Sequence, residues 1–156
     1  MHGLLRASML AVAVIAAACA TVSAESRDDG LVAVRSAYPI QETVDRLKAD
    51  IAAKGIMFFD EIDQQRLARG AGIELNGSRL LLFGNPPLGI QFLTANRHAG
   101  IDWPVRVLVT EDAQGRVEVV YNDFDWIARR HGITTRGPQF QMASEVIASI
   151  TASVAE

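Results

Sequence analysis

The chain has 156 residues, 49% hydrophobic and 21% charged, with a formal net charge of −3 and a single cysteine. That length and hydrophobic share suffice for one domain with one core. A negative chain with scattered arginines and no basic run lacks the footprint of nucleic-acid binding, and it also lacks a polybasic patch for anionic lipid.

The first 24 residues carry three features of an export signal. Arg6 supplies a basic start, Met9 to Ala18 an apolar stretch, and Val22-Ser23-Ala24 the small-x-small pattern read by signal peptidase. The apolar stretch is shorter than the ~20 residues of a spanning helix, so a cleaved signal and a periplasmic or secreted product are expected. Cleavage after Ala24 leaves 132 residues (156 less 24) without Cys19, hence without disulfide, thiol nucleophile or cysteine ligand. Loss of Arg6 takes the charge from −3 to −4. The alternative makes Ala16-Ala17-Ala18-Cys19 a lipoprotein signal, with acylated Cys19 holding the protein on a membrane at ~0.8 kcal/mol per buried methylene.

Glu25 to Gly30 is polar and reads as loose, and Leu31 to Tyr38 reads as a strand ended by Pro39. From Gln41 to Lys54 the period becomes helical: Val44, Leu47 and Ile51 share one side, and Gly55 follows the last turn. Ile56 to Ile62 is apolar on both faces over Ile56-Met57-Phe58-Phe59, which predicts a central strand. Asp63 can cap a short helix over Gln64 to Ala71. Asn76-Gly77 signals a turn before the strand Arg79 to Phe83, which Gly84-Asn85-Pro86-Pro87 stops. Leu88 to Arg97 has helical potential weakened by Gly89. Helices are also predicted over Asp123 to His131, closed by Gly132, and over Gln139 to Val154.

Trp103 to Tyr121 reads as a hairpin with a fixed register. A three-residue loop, Ala113-Gln114-Gly115, puts glycine at the left-handed position and sets Asp112 opposite Arg116, Val109 opposite Val119 and Val107 opposite Tyr121. Trp103, Val105, Val107 and Val109 then share a face with Val117, Val119 and Tyr121. The reverse face carries Arg106, Leu108, Thr110, Glu118, Val120 and Asn122. A slip of one residue would send the two apolar sets to different faces. The expected fold is a single α+β domain over residues 25–156: a two-layer sandwich with about five mostly antiparallel strands and helices on the valine side. Leu108 and Val120 on the reverse face call for a cover, which a second copy in a homodimer would supply, or the short helices after Asp63 and Pro87.

The ordered succession Gly55-Ile56, Glu61-Ile62-Asp63, Leu81-Leu82-Phe83-Gly84-Asn85-Pro86, Gly100-Ile101-Asp102-Trp103-Pro104-Val105-Arg106, Glu111-Asp112 and Tyr121-Asn122-Asp123 resembles domain-of-unknown-function family 302. The resemblance covers roughly Val32 to Ile133. It implies a small α+β domain whose core topology is similar to TATA-binding-protein-like folds, and it implies no activity. Shared topology is not evidence of DNA binding, since function lives in sites. Many relatives carry Leu where this chain has Trp103.

The candidate ligand site combines Asn85, Arg106 and Asn122, because a guanidinium fork and two amides can hold a carboxylate or another small anion. The competing structural reading pairs Arg106 with Glu118 or Asp102 and gives both amides to turn backbone. Asp60, Glu61 and Asp63 do not converge as metal ligands, since alternation splits Asp60 from Glu61 and Asp63 suits a helix cap. His98 and His131 both fall where a helix would end, a favourable place for an imidazolium. No nucleophile elbow, Walker or dinucleotide pattern occurs, so no cofactor and no metal are expected. Two functions are carried forward: a non-catalytic exported module binding a small anionic ligand or a partner protein, and an enzyme using Asp63 or Glu74 as base near Arg106.

Overall fold

The computed structural model describes residues 25–26 and 29–156, so residues 1–24, where an export signal is expected, lie outside the described residues. One antiparallel sheet is built from β1 (Glu25–Ser26), β2 (Leu31–Arg35), β3 (Met57–Asp63), β4 (Ser78–Gly84), β5 (Val105–Glu111) and β6 (Val117–Asn122). Their spatial order is β1-β2-β6-β5-β4-β3. The helices are α1 (Ile40–Ala53), α2 (Gln64–Gly70), α3 (Pro86–Ala95), α4 (Phe124–Arg130) and α5 (Gly137–Ala152), with a 3-10 helix over Arg97–Asp102. This is the α+β sandwich expected from the sequence. Its sixth strand, the two-residue β1, comes from the stretch read as loose and pairs with Val32 and Ala33.

The hairpin takes the register its loop dictates. Gly115 adopts φ +75°, the Asp112 amide donates to the Arg116 carbonyl at 2.9 Å, and Val109 and Val107 lie opposite Val119 and Tyr121. The Asp112 carboxylate accepts the Arg116 amide, then the Arg116 side chain and the Gln114 amide, and these bonds hold it below its ordinary pKa. Val107, Val109, Val117, Val119 and Tyr121 join Val44, Leu47 and Ile51 of α1 and Ile147 and Ile150 of α5 in one buried core. The helices thus cover the valine face. The C-terminus is tied down beside β2, where the Ala37 amide reaches the Val154 carbonyl at 2.9 Å.

The reverse face is organised by cross-strand pairs. Ile62, Leu80, Leu108, Val120 and Ala33 stand opposite one another in a single row across five strands. Of these five only Ala33 is buried, and Leu80, Leu108 and Val120 lie outside the helix-covered core. Gln64 of α2 reaches the margin of this face, where its side chain accepts a hydrogen bond from Ser78 at 2.6 Å.

Two expectations need correction. β3 is an edge strand and not a central one. Its apolar run is interrupted by a bulge between Phe58 and Asp60, and Met57 and Phe59 are exposed. Trp103 does not continue the valine row, because β5 starts only at Val105 after a cis Trp103–Pro104 peptide. Its indole packs against Gly84 and Gly89, and edge-on to Phe59 with ring centroids 5.6 Å apart. A Cβ at position 89 would lie 1.9 Å from the indole Nε1, which accounts for a glycine inside α3.

Gly89→Ala sets a helix-propensity gain of ~1 kcal/mol against overpacking of ~1–3 kcal/mol. The clash is deep enough that overpacking wins, and urea denaturation should show a net loss of ~1–2 kcal/mol. Burial raises the Tyr121 phenol above its ordinary 10.0. The folded state therefore holds that proton more tightly than the unfolded chain. The associated stability is complete below pH 10.0 and declines as pH rises toward the elevated folded value, which urea midpoints measured from pH 8 upward should reveal.

Candidate functional site

The end of the sheet where β5 begins carries the main polar cluster. Asp102 closes the 3-10 helix, and its side chain is only 2% exposed. Arg106, one turn of chain further on, donates from Nη2 to Asp102 Oδ1 at 2.9 Å and to the Ile101 carbonyl at 2.8 Å. Arg130, the last residue of α4, donates from Nη1 to both Asp102 oxygens at 3.1 and 3.2 Å. The Nε2 of His131 lies 2.6 Å from Asp102 Oδ2. A buried carboxylate is costly unless its charge is balanced and its lone pairs are engaged, and these three partners do both.

Asn96 fastens the other end of the same segment. Its Oδ1 accepts the His98 amide at 2.9 Å, and its Nδ2 donates to the His131 carbonyl at 2.8 Å. Both ends of the 3-10 helix are therefore attached to the end of α4.

Two guanidinium groups on one carboxylate leave surplus positive charge. Arg106 uses only Nη2 and Arg130 only Nη1, so Nε and the second Nη of each have no protein partner among the described residues. The two side chains are 38% and 44% exposed. Anchored at one end and open at the other, they present donor edges to solvent.

The three residues singled out from sequence divide. Arg106 and Asn122 lie just past the last bonded pair of the hairpin, Val107 with Tyr121, and share the helix-free face. Arg106 pairs with Asp102, one of the two partners the structural reading named. Asn85 goes elsewhere: its Oδ1 accepts the Leu88 amide at 3.3 Å as the cap of α3, and the residue lines a small apolar cavity with Leu88, Phe92, Trp103 and Val146. Neither Arg106 nor Asn122 lines that cavity.

Asp63 caps α2 through the Arg66 amide and bonds Arg79, both at 2.7 Å, on the helix side of the sheet. Glu74 lines a surface hollow with Gln65 and Arg69. Neither carboxylate shares a pocket with Arg106. Glu61 is held by Lys48 at 3.0 Å and by Arg79 at 3.6 Å. Among the described residues no group of three or more His, Cys, Asp or Glu is placed to hold a metal. His98 does not end α3 but opens the 3-10 helix that follows.

Sequence reasoning missed Arg130 and the convergence on Asp102. The residues lie 28 and 29 positions apart, and no local pattern links them.

The family model described as domain of unknown function DUF302 matches residues 32–156. The chain belongs to the DUF302 family. A DUF302 protein from Bacillus stearothermophilus, an uncharacterised conserved protein of known crystal structure, superposes with a TM-score of 0.73 at 13% identity, covering 80% of this chain and 98% of that one. That likeness shows the fold. A protein of Brucella suis named fluoride-specific ion channel FluC 1 is 37% identical over 106 residues, 68% of this chain and 42% of its own length. Proteins named fluoride-specific ion channel FluC 1 in Brucella abortus and FluC 2 in Brucella melitensis match at the same 37% identity over 39% of their lengths. The DUF302 chain thus spans about two-fifths of these curated relatives. No helix among the described residues is long and apolar enough to cross a membrane.

Removing the anchor should cost more than removing one cation. Asp102→Ala is expected to lower unfolding stability by ~2–4 kcal/mol, because it strips charge-assisted bonds from a buried position. Arg130→Ala, whose side chain is 44% exposed, should cost no more than ~1 kcal/mol. Urea denaturation of both variants measures the difference.

Proposed function

We propose that this DUF302 chain is an exported, non-catalytic domain that binds a small anion between Arg106 and Arg130, with Asn122 beside Arg106 on the same face. The observation that carries the reading is the unequal charge around Asp102: one buried carboxylate holds two half-exposed guanidinium groups, each with unused donors. Asp102 fixes one edge of each fork, so less side-chain freedom is lost when the other edge takes up a ligand. Guanidinium nitrogens donating to an anion form the stronger, charge-assisted class of hydrogen bond.

Other features support the same chemistry. The matching Brucella proteins are named for a small inorganic anion, fluoride. The N-terminal signal read from the sequence would place the domain in the periplasm or outside the cell, with a lipid anchor at Cys19 as the alternative. Neither location alters the chemistry of the two arginines. The reading keeps Arg106 and Asn122 from the sequence-derived site and replaces Asn85, which serves α3, with Arg130.

Calorimetric titration of the purified chain with fluoride, chloride, phosphate and acetate tests the proposal. At least one of these anions should bind, and Arg106→Gln and Arg130→Gln should each weaken it about tenfold, ~1.4 kcal/mol. No binding at ~10 mM anion, or equal binding by the wild type and both variants, would overturn it.

A further inference from the structure

A cavity of about 50 Å³ lies between α3, α5 and the end of the sheet where β4 finishes and β5 starts, walled by Phe83, Val105, Phe92 and Ile147. A surface hollow of about 330 Å³ adjoins it, and shared walls at Ile56, Asn85, Leu88 and Val146 join the two into one groove. Apolar surface continues outward along the hollow to Met142, which is exposed. Mostly apolar walls with a few placed polar groups are the usual make-up of a small-molecule site.

Two polar side chains border the inner cavity, Trp103 and Asn85, and what both have to spare is a donor. Asn85 spends its Oδ1 on the Leu88 amide, and its Nδ2 donates to no acceptor among the described residues. Trp103 Nε1 is a donor only, and it too has no acceptor among the described residues. It is the atom nearest a Cβ built on Gly89, a residue that also walls the cavity. No fully enclosed side-chain nitrogen or oxygen among the described residues lacks a partner, so this nitrogen stays reachable. An indole N–H set among apolar groups commonly has a partner, and an acceptor brought by a ligand would supply one.

We infer that this groove binds a slim, uncharged aliphatic molecule bearing a hydrogen-bond acceptor. Its oxygen accepts from Trp103, with Asn85 as the second donor, and its chain runs outward along Leu88, Val146 and Met142. Size excludes a ring from the inner end, since about 50 Å³ is a third of the ~150 Å³ that admits benzene. Two spare donors select an acceptor and reject an ammonium head. Charge rejects a carboxylate: no cation walls the cavity, Lys54 of the hollow is held by Asp50 at 2.7 Å, and the Glu145 carboxylate shares the hollow with it.

Nitrogen–proton correlation NMR of the purified chain, titrated with hexan-2-one, tests the inference. The chain has two tryptophans, and Trp126, packed on Gly30 and beside Arg130, does not wall the groove. The Trp103 indole proton should move downfield and saturate at millimolar ketone while the Trp126 signal stays still. Hexanoate and hexylamine should bind about tenfold more weakly or not at all. Val146→Phe, at a part-buried wall shared by cavity and hollow, should weaken ketone binding about tenfold with the unfolding midpoint near wild type. Leu88→Phe, at another shared, part-buried wall, should do the same and serves if the first variant fails to fold. No saturable Trp103 shift by ~20 mM ketone, equal shifts of both indoles, tighter binding of hexanoate or hexylamine, or binding unaltered in a folded plugged variant would overturn the inference. Neither variant touches Asp102, Arg106 or Arg130, so anion binding is read separately.

Discussion

The register of one hairpin governs the molecule. Once Val107 stands opposite Tyr121 and Val109 opposite Val119, every second side chain of β5 and β6 is committed to the helix-covered core. The intervening ones, Arg106, Leu108, Thr110, Glu118, Val120 and Asn122, are committed to the other side. β4 and β2 inherit the same division, because each pairs without a shift. A displacement of one residue would bury Arg106 and Glu118 and expose the valines, at a cost no other contact offsets.

Asp102 does for the end of the sheet what the hairpin does for its faces. A buried carboxylate joins the 3-10 helix to the end of α4 through Arg130 and His131, and Asn96 adds a bond to the His131 carbonyl. Arg106 brings β5 into the same contact. The arrangement is structural in its centre and open at its margin, where the outer edges of two guanidinium groups meet solvent. A binding function can be built on such a margin without disturbing the pin beneath it.

What the sequence made legible was local. The Gly115 loop set the hairpin, the spacing of Val44, Leu47 and Ile51 gave α1, and Asp63 caps the helix that follows it. What it hid was set at a distance. β3 has a composition that suits a central strand, and only the bulge and the missing neighbour make it an edge. Alternation alone assigns Trp103 to a row that begins at Val105, and the glycines receiving its indole lie 14 and 19 residues earlier in the chain. His131 occupies a helix end as local electrostatics suggest, yet its imidazole contacts a carboxylate contributed by another segment. Arg130 carries no local signal of its role. Asn85, promoted by its place beside Pro86, turned out to be the cap that such a position commonly supplies.

The central claim is that one face of the sheet is sealed and the other is free. Methyl NMR of a dilute sample with a soluble paramagnetic agent compares the two faces within single strands. Strong broadening of Leu108 and Val120, beside near-silent Val107 and Val119, is the expected result. Equal broadening of the two sets, or broadening confined to Val107 and Val119, would contradict the division on which the arginine site rests.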